Sequence, residues 1–204
     1  MKTKLIFSIV LLSFLISPAQ KRIELTTDYG SKNKDIYEAL RFQGVEVINL
    51  KFSGENLKNK GYTLLLKEFN NGALSNIDTL ISTKKDPYLQ LIGSDTFKFN
   101  FYVKTQLDNT IKMSAIFDRF SVTKKYQIKK PKDDYALHDF LDGSKRLQIE
   151  EGKPTYILGY FLPYIDKKTG WKKYCDVAGS KHKPDEWGKV FNIPNYFLID
   201  ILFH

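Results

Sequence analysis

The chain has 204 residues, 42% hydrophobic and 27% charged, ordinary for a folded domain, and it carries no low-complexity tract, long linker or internal repeat. The formal charge of +9 comes from Lys spread along the chain, two of them (Lys2 and Lys4) in the first residues. Scattered Lys keeps sheet edges from pairing with other chains, so this charge does not call for a nucleic-acid partner, and the lone Cys175 excludes an intramolecular disulfide.

Residues 1–19 read as a secretory signal peptide. Lys2 and Lys4 form the positive n-region, and Leu5 to Ile16 form an apolar run shorter than the roughly 20 residues that span a bilayer as a helix. Ser17-Pro18-Ala19 then places small residues before a cut at Gln20. Removal of the leader leaves residues 20–204 as one domain, exported to the periplasm, cell surface or medium, with no stable membrane anchor.

The 15 Phe and 12 Tyr favour strands. Lys21 to Thr27 predicts a short strand. Asn33 or Asp35 then caps a helix over Ile36 to Phe42, with Gly44 just past its end. Val45 to Phe52 is a strand whose apolar residues change phase at Val47-Ile48, which implies a bulge or burial on both sides. Tyr62 to Phe69 and Leu74 to Ser82 flank Asn71-Gly72, a pair that tolerates the positive φ angles of a type I′ hairpin turn.

A second hairpin alternates Phe97, Phe99, Phe101 and Val103 with Lys98, Asn100, Tyr102 and Lys104, turns at Asp108-Asn109, and returns through Ile111, Met113, Ala115 and Phe117. Phe120 to Lys130 continues as a strand stopped by Pro131. Asp133 to Leu141 predicts a helix capped by Asp133 or Asp134 and ended by Gly143. Strands resume at Arg146 to Glu150 and Thr155 to Leu162. Asp166 to Gly170 reverses the chain, and Asp185 to Gly188 makes one helical turn after Pro184. The final strand alternates Phe197, Ile199, Ile201 and Phe203 with Tyr196, Leu198, Asp200 and His204. Helices long enough for parallel βαβ units are missing. The pattern therefore predicts an all-β, two-layer antiparallel sandwich of jelly-roll type, with eight or nine strands and two short helices.

No enzyme signature stands out: there is no Gly-x-Ser-x-Gly, Walker loop, His-Glu-x-x-His, Cys-x-x-Cys or EF-hand loop. Three His and one Cys leave little material for a metal site, so neither metal nor cofactor is expected. Cys175, Asp176, His182, Asp185 and Glu186 form one compact cluster. A Cys–His pair makes a thiolate nucleophile only if imidazole and sulfur are within hydrogen-bond reach. The plainer expectation is a small buried Cys175 beside a solvated loop, with His138, next to Asp139, on the surface.

Aromatic residues of the C-terminal third give the better functional hint. Tyr156, Tyr160 and Tyr164 share a face if their segment is one strand, and Trp171, Tyr174 and Trp187 lie in adjoining loops. Flat rings pack on the C–H faces of sugars and serve as anchors for protein partners. Trp171, Tyr174 and Trp187 are thus the candidate ligand-binding residues. A glycan or a cell-envelope protein is the candidate partner, set against the alternative that the rings only fill the core.

Gly61-Tyr62, Lys67-Glu68-Phe69-Asn70-Asn71-Gly72, Tyr174-Cys175-Asp176, Trp187-Gly188-Lys189 and Ile193-Pro194-Asn195-Tyr196 together resemble a family of exported, uncharacterised β-rich proteins from Bacteroidota. The Ala19-Gln20 junction suits signal peptides of that phylum. The resemblance implies a periplasmic or surface location in a Gram-negative bacterium and assigns no activity or catalytic residue. The sequence thus points to an exported binding or structural module rather than an enzyme, with a glycan-binding module and a small hydrolase as the alternatives.

Overall fold

The computed structural model describes residues 22–128, 135–141 and 143–204. The predicted leader, the predicted Asp133 and Asp134 caps and the Lys129–Pro131 strand end lie outside the described residues. Two antiparallel sheets pack as a sandwich. The first has six strands in the order β7 (Ser121–Gln127), β6 (Thr110–Ile116), β5 (Thr96–Thr105), β2 (Glu46–Ser53), β1 (Ile23–Tyr29), β9 (Leu147–Ile149). The second has five, in the order β4 (Ala73–Ser82), β3 (Tyr62–Asn70), β13 (Asn195–Phe203), β10 (Thr155–Phe161), β8 (Ala136–Asp139). A two-stranded ribbon, β11 (Tyr164–Ile165) with β12 (Lys172–Lys173), stands apart from both. The helices are short: α1 (Lys34–Phe42), α2 (Cys175–Ala178), a 3₁₀ turn over Pro184–Glu186, and α3 (Trp187–Val190). None of the described helices is long and apolar enough to cross a membrane.

Turn chemistry sets the hairpins. Asn71 (φ 51°) and Gly72 (φ 76°) both take positive φ between β3 and β4, as a type I′ turn requires. Between β5 and β6 a single positive-φ residue, Asn109 (φ 61°), reverses the chain. Along β5, Phe99, Phe101 and Val103 are buried and their neighbours are not. Across the sandwich, Phe52 meets Phe203 edge-on at 5.4 Å between centroids and Tyr126 meets Phe197 at 5.7 Å. β13 lies between β3 and β10 and is buried along nearly all of its length. Its inner side chains face the other sheet, while Tyr196 packs outward beneath Trp187.

Several expectations are corrected. The two sheets hold eleven strands rather than eight or nine, and β8 is the one that forms where the sequence predicts no strand. The predicted helix at 133–141 is absent from its described part. Residues 136–139 instead pair with β10 in register Leu137↔Tyr160, since the sheet edge supplies backbone partners on one side while the Glu46 and Tyr29 side chains take the Leu137 and Asp139 amides on the other. In β2 the change of phase marks burial on both sides, since Val47 and Ile48 are both buried and the pairings with β1 and β5 run without a register shift. In β10 a bulge between Tyr156 and Leu158 separates the three tyrosines. Tyr156 lies opposite Asp200 on the outer face, Tyr160 points between the sheets, and Tyr164 belongs to the ribbon.

Candidate functional site

Strand ends and α1 build a cleft of about 460 Å³ at one mouth of the sandwich. Its lining comes from distant parts of the chain: Tyr29 ends β1, Glu46 opens β2, Thr105 ends β5, Tyr135 and Leu137 come from the β8 region, and Tyr160 from β10. Tyr37, Leu40 and Arg41 of α1 form the roof. The helix is fixed at its two ends. The Asn33 side chain accepts the Ile36 amide at 3.1 Å. At the other end Gly44, at φ 64°, donates to the Arg41 carbonyl and Val45 donates to the Leu40 carbonyl, which is a Schellman closure. No residue of α1 is buried, and Phe42 is 88% exposed. The roof therefore rests on the cleft with little packing.

The floor is firm. Tyr135 and Tyr160 are buried and stack at 5.1 Å with planes 19° apart. The Tyr135 hydroxyl donates to Asn195 Oδ1 at 2.7 Å, and the Tyr160 and Thr105 hydroxyls share a hydrogen bond at 2.9 Å. Tyr29 keeps an exposed ring edge, yet its hydroxyl accepts the Asp139 amide at 3.0 Å, and burial pushes that hydroxyl up to about 12. Glu46 Oε2 accepts the Leu137 amide at 3.0 Å. Burial holds the Glu46 carboxyl above the usual carboxylate range, and the Leu137 amide opposes that shift only in part.

The sequence-predicted residues lie elsewhere and do not converge. Trp187 is 1% exposed: it packs against Phe161 at 4.9 Å, Phe140 at 5.5 Å and Tyr196 at 6.1 Å. It fills a layer over the outer face of the five-stranded sheet and shows no ring face to a ligand, which corrects its place among the candidates. Tyr174 is half-buried and stacks on His138 at 5.8 Å. Trp171 alone is open, at 71%, beside the β11–β12 ribbon.

Cys175 is exposed rather than buried, because α2 turns Val177 inward in its place. No hydrogen bond joins Cys175 to His182, whose ring meets the edge of Phe191 at 5.9 Å. His138 is not a plain surface residue, since it sits on β8 between Tyr174 and Phe161. Among the described residues no group of three or more His, Cys, Asp or Glu is placed to hold a metal ion.

A second set of polar groups lies on the outer face of the five-stranded sheet. Asp200, 1% exposed, has the Lys67 ammonium 2.7 Å from Oδ2. Lys67 also reaches the Tyr156 hydroxyl at 3.2 Å, and that hydroxyl donates to Asp185 at 2.6 Å. The set ties β3, β10 and β13 to the 3₁₀ turn. At the opposite mouth a groove of about 510 Å³ runs past Tyr88, Phe97 and Phe120, and its charged groups, Lys98, Asp118 and Arg119, are all solvated.

The cleft was missed in the sequence because its residues are spread from position 29 to 160 and only the sandwich brings them together. The single cue was Glu46, an acidic residue set between the apolar Val45 and Val47-Ile48 at the start of β2. No family model, curated protein or solved structure matches the chain.

Proposed function

We propose that the chain is an exported binding module whose ligand is a small molecule held in the tyrosine-lined cleft beneath α1. The leader at 1–19 and the resemblance to exported β-rich proteins of Bacteroidota support the address. One observation carries the site: four tyrosines and a half-buried carboxylate converge on an open cleft of about 460 Å³ between two rigid sheets. Concave, mostly apolar sites with a few placed polar groups are where small ligands bind. The loop-aromatic glycan reading rests on Trp171 alone once Trp187 is in the core, and one ring without a neighbouring cleft is a weak platform. The hydrolase reading has neither a joined Cys–His pair nor a metal cluster among the described residues to support it.

The test uses the mature protein. A small-molecule panel is screened by thermal shift and by amide exchange, beside a Val45→Trp variant that fills the cleft. A true ligand raises the melting temperature and slows exchange in residues 34–42, because it gives α1 the packing it lacks. Both effects vanish in the variant. Binding that is undiminished in Val45→Trp, with the fold intact by circular dichroism, would place the site elsewhere and end the proposal.

A further inference from the structure

We infer that the cleft is a site for a small organic cation, an amine or quaternary ammonium, with Glu46 as its counter-ion and tyrosine rings as its walls. The inference rests on the cleft being the binding site and adds the ligand's chemical class.

The hydroxyls of three of the four tyrosines argue against a sugar. Those of Tyr29, Tyr135 and Tyr160 are already engaged with Asp139, Asn195 and Thr105. What these residues offer the cleft is ring surface, not donors and acceptors. A sugar brings a hydroxyl on nearly every carbon, and each would lose water with few protein groups to replace it. A cation with a compact apolar shell asks for the opposite: aromatic surface and one negative charge.

Glu46 supplies that charge. The Leu137 amide pins one carboxylate oxygen, which fixes the side chain against the wall. The other oxygen has no donor, and no Lys or Arg forms an ion pair with the group among the described residues. Asp200 shows what this fold does with a buried carboxylate whose role is structural: it brings Lys67 to 2.7 Å. Glu46 has no such partner, and a bound cation is the missing one. Arg41 is the opposing charge on the roof, exposed and in no ion pair among the described residues, so it sets the polarity of the entrance without neutralising Glu46.

Choline, tetramethylammonium, 3,3-dimethylbutan-1-ol (the uncharged carbon counterpart of choline) and glucose are titrated calorimetrically into the mature protein. Choline binds at least about tenfold tighter than its neutral counterpart, and Glu46→Gln removes that advantage while the Gln carbonyl keeps the Leu137 amide satisfied. Arg41→Gln, on an exposed roof position, raises choline affinity about two- to threefold at low salt. Pelleting with phosphatidylcholine vesicles, competed by free choline, tells a lipid headgroup from a free solute, and either source supports the cation site.

Equal affinity for choline and the alcohol, or full choline binding by Glu46→Gln, overturns the inference. Glucose binding in the cleft without choline binding overturns the ligand class and leaves the cleft standing. If all four probes are silent while another panel member binds in a Val45→Trp-sensitive way, the cation falls alone. If nothing binds there, both readings fall.

Discussion

The two mouths of the sandwich are built from different aromatics, and the difference separates packing from function. At one mouth Phe52, Phe97, Phe99, Phe117 and Phe203 interlock, with centroids 5.0–6.3 Å apart for the pairs that meet. Phenylalanine has no polar handle, so it fills space and asks for nothing. At the other mouth the same sheets present Tyr29, Tyr135 and Tyr160, each with its hydroxyl tethered to a different element. Tethered rings hold a shape without collapsing into it. The first mouth packs its rings into core beneath a solvated surface groove, and the second keeps a cleft under a helix none of whose residues is buried.

The largest expected effect lies at the packed mouth. Phe52→Ala removes a ring that is 0% exposed and touches Phe97, Phe99 and Phe203, and should cost about 3–5 kcal/mol in urea unfolding. Tyr37→Ala on the roof of the open mouth should cost under about 1 kcal/mol, because its ring is half exposed. Similar costs at both positions would erase the contrast between a packed mouth and an open one.

The next effect compares the two carboxylates taken out of water. Lys67→Met leaves Asp200 buried without its cation and should destabilise by about 2–4 kcal/mol, below the value for a fully buried pair because the ammonium is partly solvated. Glu46→Gln should act in the other direction. Burial raises the Glu46 carboxyl in the folded state, so its contribution is whole below the unfolded value and is lost as pH rises through the folded one. At neutral pH the ionised group is a cost, and Glu46→Gln should stabilise the free protein by about 1 kcal/mol. The gain should fade below about pH 4, where both states are protonated. Urea midpoints at pH 7 and pH 4 check this, and a loss of stability at pH 7 would make Glu46 a structural residue.

How much of this was legible in the sequence follows from what each feature depends on. Asn71-Gly72 and the Phe97–Val103 alternation are local signals, and they mark β3–β4 and β5–β6 where the structure has them. The final strand declares itself by its apolar alternation and lies between β3 and β10 in its sheet. Residues 136–139 carry no such signal, since four residues with one acid and one His take strand form only because the β10 edge is there. Trp187 sits in an Asp-Glu-Trp-Gly context that reads as solvent. It is buried because Gly188 packs onto Gly72 so closely that a Cβ would lie 2.4 Å from the Gly72 backbone, which presses α3 onto the sheet. The cleft depends on five strand ends meeting, and no window of sequence contains them.

The smallest effect concerns His138, where the five-stranded sheet meets its outer layer. The ring lies 5.3 Å from Phe161 and 5.8 Å from Tyr174. Burial among these rings holds the imidazole below its ordinary value of 6.5, and the neighbouring Asp139 charge offsets only part of that. The unfolded chain thus takes up this proton more readily than the folded one. Stability from this group is whole above 6.5 and is lost as pH falls through the lowered folded value. Glu46 and Asp200, raised by burial, push the other way, but they are common to wild type and variant and cancel in the comparison. His138→Phe keeps a ring between Phe161 and Tyr174 and removes the proton site. Between about pH 7 and pH 5 the wild-type melting temperature should therefore fall more than the variant's. Parallel curves would show that His138 stays in contact with water, and that the outer layer over β8 is as open as the roof of the cleft.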